Sequence, residues 1–224
     1  MSKRLIARSK LSNRQLNQLV DFFALEVPAV KAAQVLCINR HSAERVYHVI
    51  RQHLAWDCEG RSPLRGEVEA DEPYFGGHRK GRRGRGGAGK VAVFGLLKRR
   101  GKVYTRPVPN VTRETLRAVI RQKVPKGSTI YSDQFSSYDG LITEGYRHHR
   151  INHGEGFATS RRRHINGIEN FWGYAKTKLK RYSGIPRKQF LMYLKERDFR
   201  FNQRQDDVSL LIKRILNTTK PVLG

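Results

Sequence analysis

Cysteine is nearly absent from this 224-residue sequence: Cys37 and Cys58 are the only two, and neither sits in a CxxC pair. That excludes a zinc ribbon, and a disulfide between them would be out of place in an intracellular protein. Acids are also scarce, with 19 Asp plus Glu against 45 Lys plus Arg. No apolar stretch is long enough to span a membrane, and no basic amphipathic anchor stands out. The opening "MSKRLIARSKL" carries charge but no apolar core, so no secretory signal is expected and a cytoplasmic location follows by default.

Positive charge is what the chain has in excess: a formal net +26 and a pI of about 10.8. Such an imbalance says little about fold and much about partners, and nucleic acid is the polyanion it points to. Hydrophobic residues, at 38%, still suffice for a sizeable core.

The first part reads as helices. "SNRQLNQLVDFFALE" sets Leu16, Leu19, Val20 and Phe23 on one face, with Ser12 as N-cap. Pro28 ends that helix, and "AVKAAQVLCI" forms a second, shorter one. "NRHS" is a turn in which Asn39 takes a left-handed conformation and Ser42 caps the helix "SAERVYHVIRQHL". There Val46, Val49, Ile50 and Leu54 face inward, while Arg45, His48, Arg51 and Gln52 face out. Helix, tight turn and helix with a basic outer face is the helix-turn-helix pattern, although an ordinary three-helix subdomain shows the same periodicity. Residues 1–56 are assigned to this domain and 57–66, "AWDCEGRSPLRG" in its surroundings, to a linker.

From residue 67 the period changes to two. "EVEADEPYF", "KVAVFGLLKRR", "KVYTRPVP", "STIYSD" and "YRHHRINH" read as strands. "TRETLRAVIRQKV", capped by Thr112, "NGIENFWGYAKTKLKRY" and "RKQFLMYLKERDFRFNQR" read as helices, and "SSYDGLI" as a short one. This order predicts an α/β domain over 67–204 with a ribonuclease-H-like mixed sheet and flanking helices, followed by a C-terminal helix and tail over 205–224. "HRKGRRGRGGAGK" is a Gly/Arg run too poor in apolar residues to pack. Its Gly84, Gly89 and Lys90 approach a phosphate-binding loop, but Val91 stands where Ser or Thr should hold magnesium and opens a strand rather than a helix. DNA backbone contact through Arg82, Arg83 and Arg85 suits it better.

In so basic a chain, an acid at the end of an element has to be explained. Asp71 lies on the face of the first strand that also carries Glu67 and Glu69, Asp133 ends "TIYSD", and Glu169 lies on the "GIENFWGYAK" helix. Each alone reads as a surface salt bridge. Together, from two strands and a helix, they point to a site for hard divalent cations, which take oxygen ligands. On the helix Glu169, Gly173 and Lys176 share a face, with Lys176 about 10 Å further along the axis, the distance of a neighbouring phosphate rather than an ion pair. Gly173 leaves the ledge between them bare, and Ile168, Phe171, Trp172, Ala175 and Leu179 anchor the helix. Tyr131 and Tyr138 flank Asp133 and are packing residues, not nucleophiles of a tyrosine recombinase.

"GEVEADEPYFGG", "YSDQFSSYDGL", "INHGEGF", "HINGIENFWGYAKTKLKRYSGI" and "FRFNQR" together resemble the DDE transposases of bacterial insertion sequences, in the small group with an ISXO-two-like catalytic domain. The resemblance covers roughly residues 64–204. It implies Asp71, Asp133 and Glu169 as catalytic triad and metal ligands, with two Mg2+ ions for which Mn2+ can substitute. It implies Lys176 as a DNA-binding residue; the basic faces and runs of the chain add Lys180, Arg45, His48, Arg51, Arg161, Arg162 and Arg163 as candidates. His153 is a candidate for DNA contact or the third metal position, and Glu155 is the competitor to Glu169, though its Gly-flanked loop is a poor support. The implied partners are the element's terminal inverted repeats and target DNA, with a homo-oligomer on DNA in the bacterial nucleoid. Two other readings remain: a helix-turn-helix regulator with an inactive ribonuclease-H-like domain, and a nuclease or resolvase of that fold.

Overall fold

The computed structural model describes residues 5–6, 9–60, 64–76, 89–151, 164–182 and 184–218. The chain forms two compact units, residues 1–61 with 195–224, and residues 62–194.

In the first unit α1 (Asn13–Ala24) opens with a full capping box between Ser12 and Gln15. After α2 (Ala29–Val35) comes α3 (Arg40–Glu59), and the C-terminal helix α7 (Val208–Thr218) completes the group. Leu16, Leu19, Val20, Phe23, Val46, Ile50 and Leu54 share one core with Phe199, Ile212 and Ile215. The C-terminal segment that the sequence set apart from residue 205 therefore belongs with the N-terminal helices, because the apolar face of α7 packs there. Two local expectations are corrected. The turn before α3 takes its left-handed residue at Cys37 (φ 50), while Asn39 is extended and caps α3 by accepting from the His41 amide at 2.8 Å. Residues 57–59 also continue α3 rather than open a linker, since Cys58 is buried in the same core.

In the second unit β1 (Glu67–Asp71) and β2 (Tyr74–Phe75) pair antiparallel with one edge of β3 (Val91–Lys98), and β4 (Val103–Val108) pairs with the other. The break between β1 and β2 falls at Glu72 and Pro73, since proline has no N–H to give a ladder. Beyond β1 lie β5 (Thr129–Ser132) and β6 (Arg147–Arg150), both parallel to it. Three antiparallel strands followed by two parallel ones, in the order β4-β3-β1-β5-β6, make the ribonuclease-H-like sheet expected from the sequence.

One face of this sheet is apolar. Val68 and Ala70 of β1, Phe94 and Leu96 of β3, and Ile130 pack with Leu116, Val119 and Ile120 of α4 (Arg113–Lys123). The opposite face takes α5 (Asn166–Lys180) through Ile168 and Trp172. Gly95 makes that contact possible, because a Cβ there would lie 2.2 Å from the Trp172 ring. The helix α6 (Phe190–Asn202) starts in this unit and ends in the first.

Candidate active site

The parallel pairing of β1 with β5 sets Glu69 opposite Tyr131. Two residues on, at the same level, are Asp71 and Asp133, at the C-terminal ends of neighbouring strands. Each carboxylate is fixed by a backbone amide: Glu72 donates to Asp71 Oδ1 at 2.9 Å and Phe135 to Asp133 Oδ1 at 3.0 Å. Glu169 joins them from the first turn of α5.

Asp71 registers the company it keeps. Burial raises its carboxyl above the usual carboxylate range, the Glu72 amide pulls the other way, the charges of Asp133 and Glu169 raise it further, and Lys176 opposes them. The sequence-derived triad and its lysine thus fall in one electrostatic neighbourhood. Among the described residues, no group of three or more His, Cys, Asp or Glu side chains is arranged to hold a metal ion by itself.

What sets α5 in place went unremarked in the sequence. The N-cap position, Ile165, offers no side-chain acceptor. The acceptor comes instead from β1: Glu69, 1% exposed, takes the Ile168 amide on Oε2 at 2.9 Å. Arg99 holds the other oxygen, its Nε 3.0 Å from Glu69 Oε1, and donates to the His164 carbonyl at 2.5 Å. Gly167 must lack a Cβ, which would lie 2.8 Å from Glu69 Oε2. The residue after Ile168 is Glu169, so the anchor of the helix lies next to the candidate ligand. The available signal was an acid two residues before Asp71 on the same strand face, in a chain with few acids to spare.

The flanking tyrosines pack, as expected, and also serve as donors. The Tyr138 hydroxyl donates to Glu72 and the Tyr131 hydroxyl to Glu67 Oε1 at 2.6 Å. Burial, then Glu72, then Asp71 and Asp133 push Tyr138 far above the ordinary tyrosine range, so its hydroxyl stays protonated. At the end of β5 the Ser132 hydroxyl lies 2.9 Å from His148 Nε2, and burial, Arg150 and His149 hold that imidazole neutral with a pKa of about 4.

Of the candidate DNA contacts, Lys176, Lys180 and Arg45 are exposed and His48 is half-buried. Arg51 does not face out: it is buried, with Nε 2.8 Å from Glu196 Oε2, so its charge is spent inside the helical unit. Arg82, Arg83, Arg85, His153, Glu155, Arg161, Arg162 and Arg163 lie outside the described residues. No helix among the described residues is long and apolar enough to cross a membrane.

A transposase-like protein of Haemophilus influenzae, itself uncharacterized, is 48% identical over 104 residues, 46% of this chain and 84% of that protein. A protein in the transposable element ISH50 of Halobacterium salinarum is 26% identical over 194 residues, 79% of this chain and 66% of that protein. Among solved structures, the Mos1 mariner paired-end complex with Mn aligns over 97% of this chain and 78% of that one, at 12% identity and a TM-score of 0.35. Residues 63–202, which carry the whole sheet, both strand-end aspartates and α5, match the model of the ISXO2-like transposase domain, and the chain belongs to that family.

Proposed function

We propose that this chain cuts the ends of an insertion sequence and joins them to target DNA, by metal-dependent phosphoryl transfer on Asp71, Asp133 and Glu169. The observation that carries the reading is placement: Asp71 and Asp133 end neighbouring parallel strands at one level, and Glu169 lies in the first turn of α5, near enough for its charge to act on the half-buried Asp71. Divalent cations relieve that repulsion, and the donor set is all oxygen, which suits Mg2+ or Mn2+. Magnesium is commonly held by one or two carboxylates, with waters and substrate phosphates filling the remaining positions. Two such ions, when bound, would supply charge stabilisation at the phosphoryl oxygens and an activated water.

The protein's own groups do the rest. Asp71 and Asp133 hold ligand positions on rigid strand ends, and Glu169 offers a third from α5. Lys176 receives a phosphate beside the scissile one. Cutting at the element end leaves a 3′-hydroxyl, and that hydroxyl then attacks a target phosphodiester in line. Both displacements have an oxygen nucleophile and an oxygen leaving group, so one site serves both. Neither Tyr131 nor Tyr138 is the nucleophile, since each donates its hydroxyl to a carboxylate. The turn and helix α3, with Arg45 and His48 outward, supply recognition of the terminal repeats, and two copies are needed to pair two ends.

The test is strand joining with Mn2+ or Mg2+, using DNA ends taken from the inverted repeats that flank the coding sequence. Asp133→Asn and Glu169→Gln should each reduce joining by at least about a hundredfold while leaving DNA binding intact. Full joining by Glu169→Gln would move the third ligand elsewhere, with Glu155 next in line. Binding without nicking or joining by the wild type would favour a regulator, and cutting of branched DNA without end specificity a resolvase.

A further inference from the structure

Beside the carboxylates, in the same unit, is a cleft of about 550 Å³. Four aromatic residues line it, of which Phe75 and Phe190 are buried and form its floor while Tyr74 and Tyr182 are half-buried and offer ring surface, and the exposed cations Lys176, Lys180 and Arg187 line it too. Among the described residues lining it there is no acid. The volume falls in the range of small-molecule sites and far exceeds what one or two waters fill.

The chemistry of the lining narrows the occupant. Three cations and no acid disfavour a cationic ligand. A purely apolar ligand would have no use for the cations, and a bare anion none for the aromatic wall. What matches both is an anion carrying a flat apolar ring. Lys176 links the cleft to the carboxylates: its Nζ is 5.8 Å from the centre of the Phe75 ring, and its charge acts on Asp71. Lys180 follows one turn later on α5, so a strand leaving the carboxylates along this helix meets the cleft next. A base inside a duplex is stacked on both faces and cannot enter, whereas an unpaired one can stack on an aromatic ring.

We propose that this cleft binds one unpaired nucleotide of the DNA strand lying in the carboxylate site, with its base on the aromatic wall and its phosphate on Lys176, Lys180 and Arg187. The inference rests on the reading of that site as a DNA site, but it needs no catalysis. The test is fluorescence anisotropy of the full chain in EDTA, with a labelled thymidine octanucleotide and its fully abasic counterpart as probes. The wild type should bind the thymidine strand about tenfold more tightly than the abasic one. Tyr182→Ala should shrink that preference to within about twofold, and Tyr182→Phe should retain it. Lys180→Ala should weaken both strands alike. Equal binding of the two strands by the wild type, or full preference in Tyr182→Ala, overturns the proposal. Strand joining measured on the same preparations separates the two ideas. Preference without joining retains the cleft and removes the proposed chemistry, and joining without preference does the reverse.

Discussion

Glu69 and Asp71 stand two residues apart on one face of β1, yet only one of them faces the candidate site. Glu69 is the socket for α5, and its removal should be felt through Glu169. Glu69→Gln keeps an oxygen for the Ile168 amide, while Glu69→Met fills the space without one. Joining should fall about tenfold in the first and about a hundredfold in the second, with duplex binding unchanged. Amide hydrogen exchange at Ile168 should speed up only in the Met variant, a readout that needs neither metal nor turnover. Arg51 and Glu196 show the same division at another site. Burial opposes the charge on Glu196, but Arg197, Arg51 and Arg200 outweigh it and hold the carboxyl below its usual range. A depressed carboxyl stabilises the fold above the ordinary glutamate value near pH 4.3, and that stability is lost as pH falls through the lower folded value. Glu196→Gln should cost about 3–5 kcal/mol at neutral pH and flatten the acid limb of the stability profile, as thermal melting would register. Period-two and period-3.6 patterns reveal which face a side chain is on. They did not reveal that Arg51 meets a partner 145 positions away, or that a helix start would rest on Glu69.

At the scale of elements, α1 and α2 end in the same way. The amide of Val27 reaches the carbonyl of Phe22 and that of Ile38 reaches Ala33, with Glu26 (φ 58) and Cys37 (φ 50) between them in the left-handed region. This is the Schellman closure, at a position glycine usually fills. Cys37→Gly should therefore stabilise the helical unit by about 0.5–1 kcal/mol, the left-handed cost less the freedom glycine gains when unfolded. Glu26→Gly should do the opposite despite the same dihedral, because Glu26 holds Arg197 at 2.5 Å. Equilibrium denaturation of the two variants checks the opposite signs. Helix stripes were legible from the sequence, and so were the strand ends that carry Asp71 and Asp133. The position of the left-handed turn residue was not. Asparagine is the local favourite for such a conformation, but the hydrogen bond to Ala33 fixes it two residues earlier, at Cys37. Nor was the seat of Trp172 legible, since it depends on the absence of a side chain at Gly95 on a distant strand.

For the whole molecule, a net charge of +26 should make the proposed DNA binding a steep function of salt. Contact with 6–10 phosphates would lower the binding constant by about 10³ to 10⁵ between 50 and 200 mM salt. Arg51→Ala should leave that slope unchanged, because its charge is already neutralised inside the protein, whereas Lys176→Ala should reduce it by about one. Binding isotherms over that range test both. The order in which the chain is made adds a constraint. Helix α7 completes a core begun by α1 and α3, but residues 62–194 are synthesised in between. At 5–20 residues per second, those residues alone keep the helical unit incomplete for about 7 to 27 seconds. In a nascent chain the sheet of residues 62–194 can therefore fold before the helical unit of α1, α3 and α7 is complete, so the unit begun earlier is finished later.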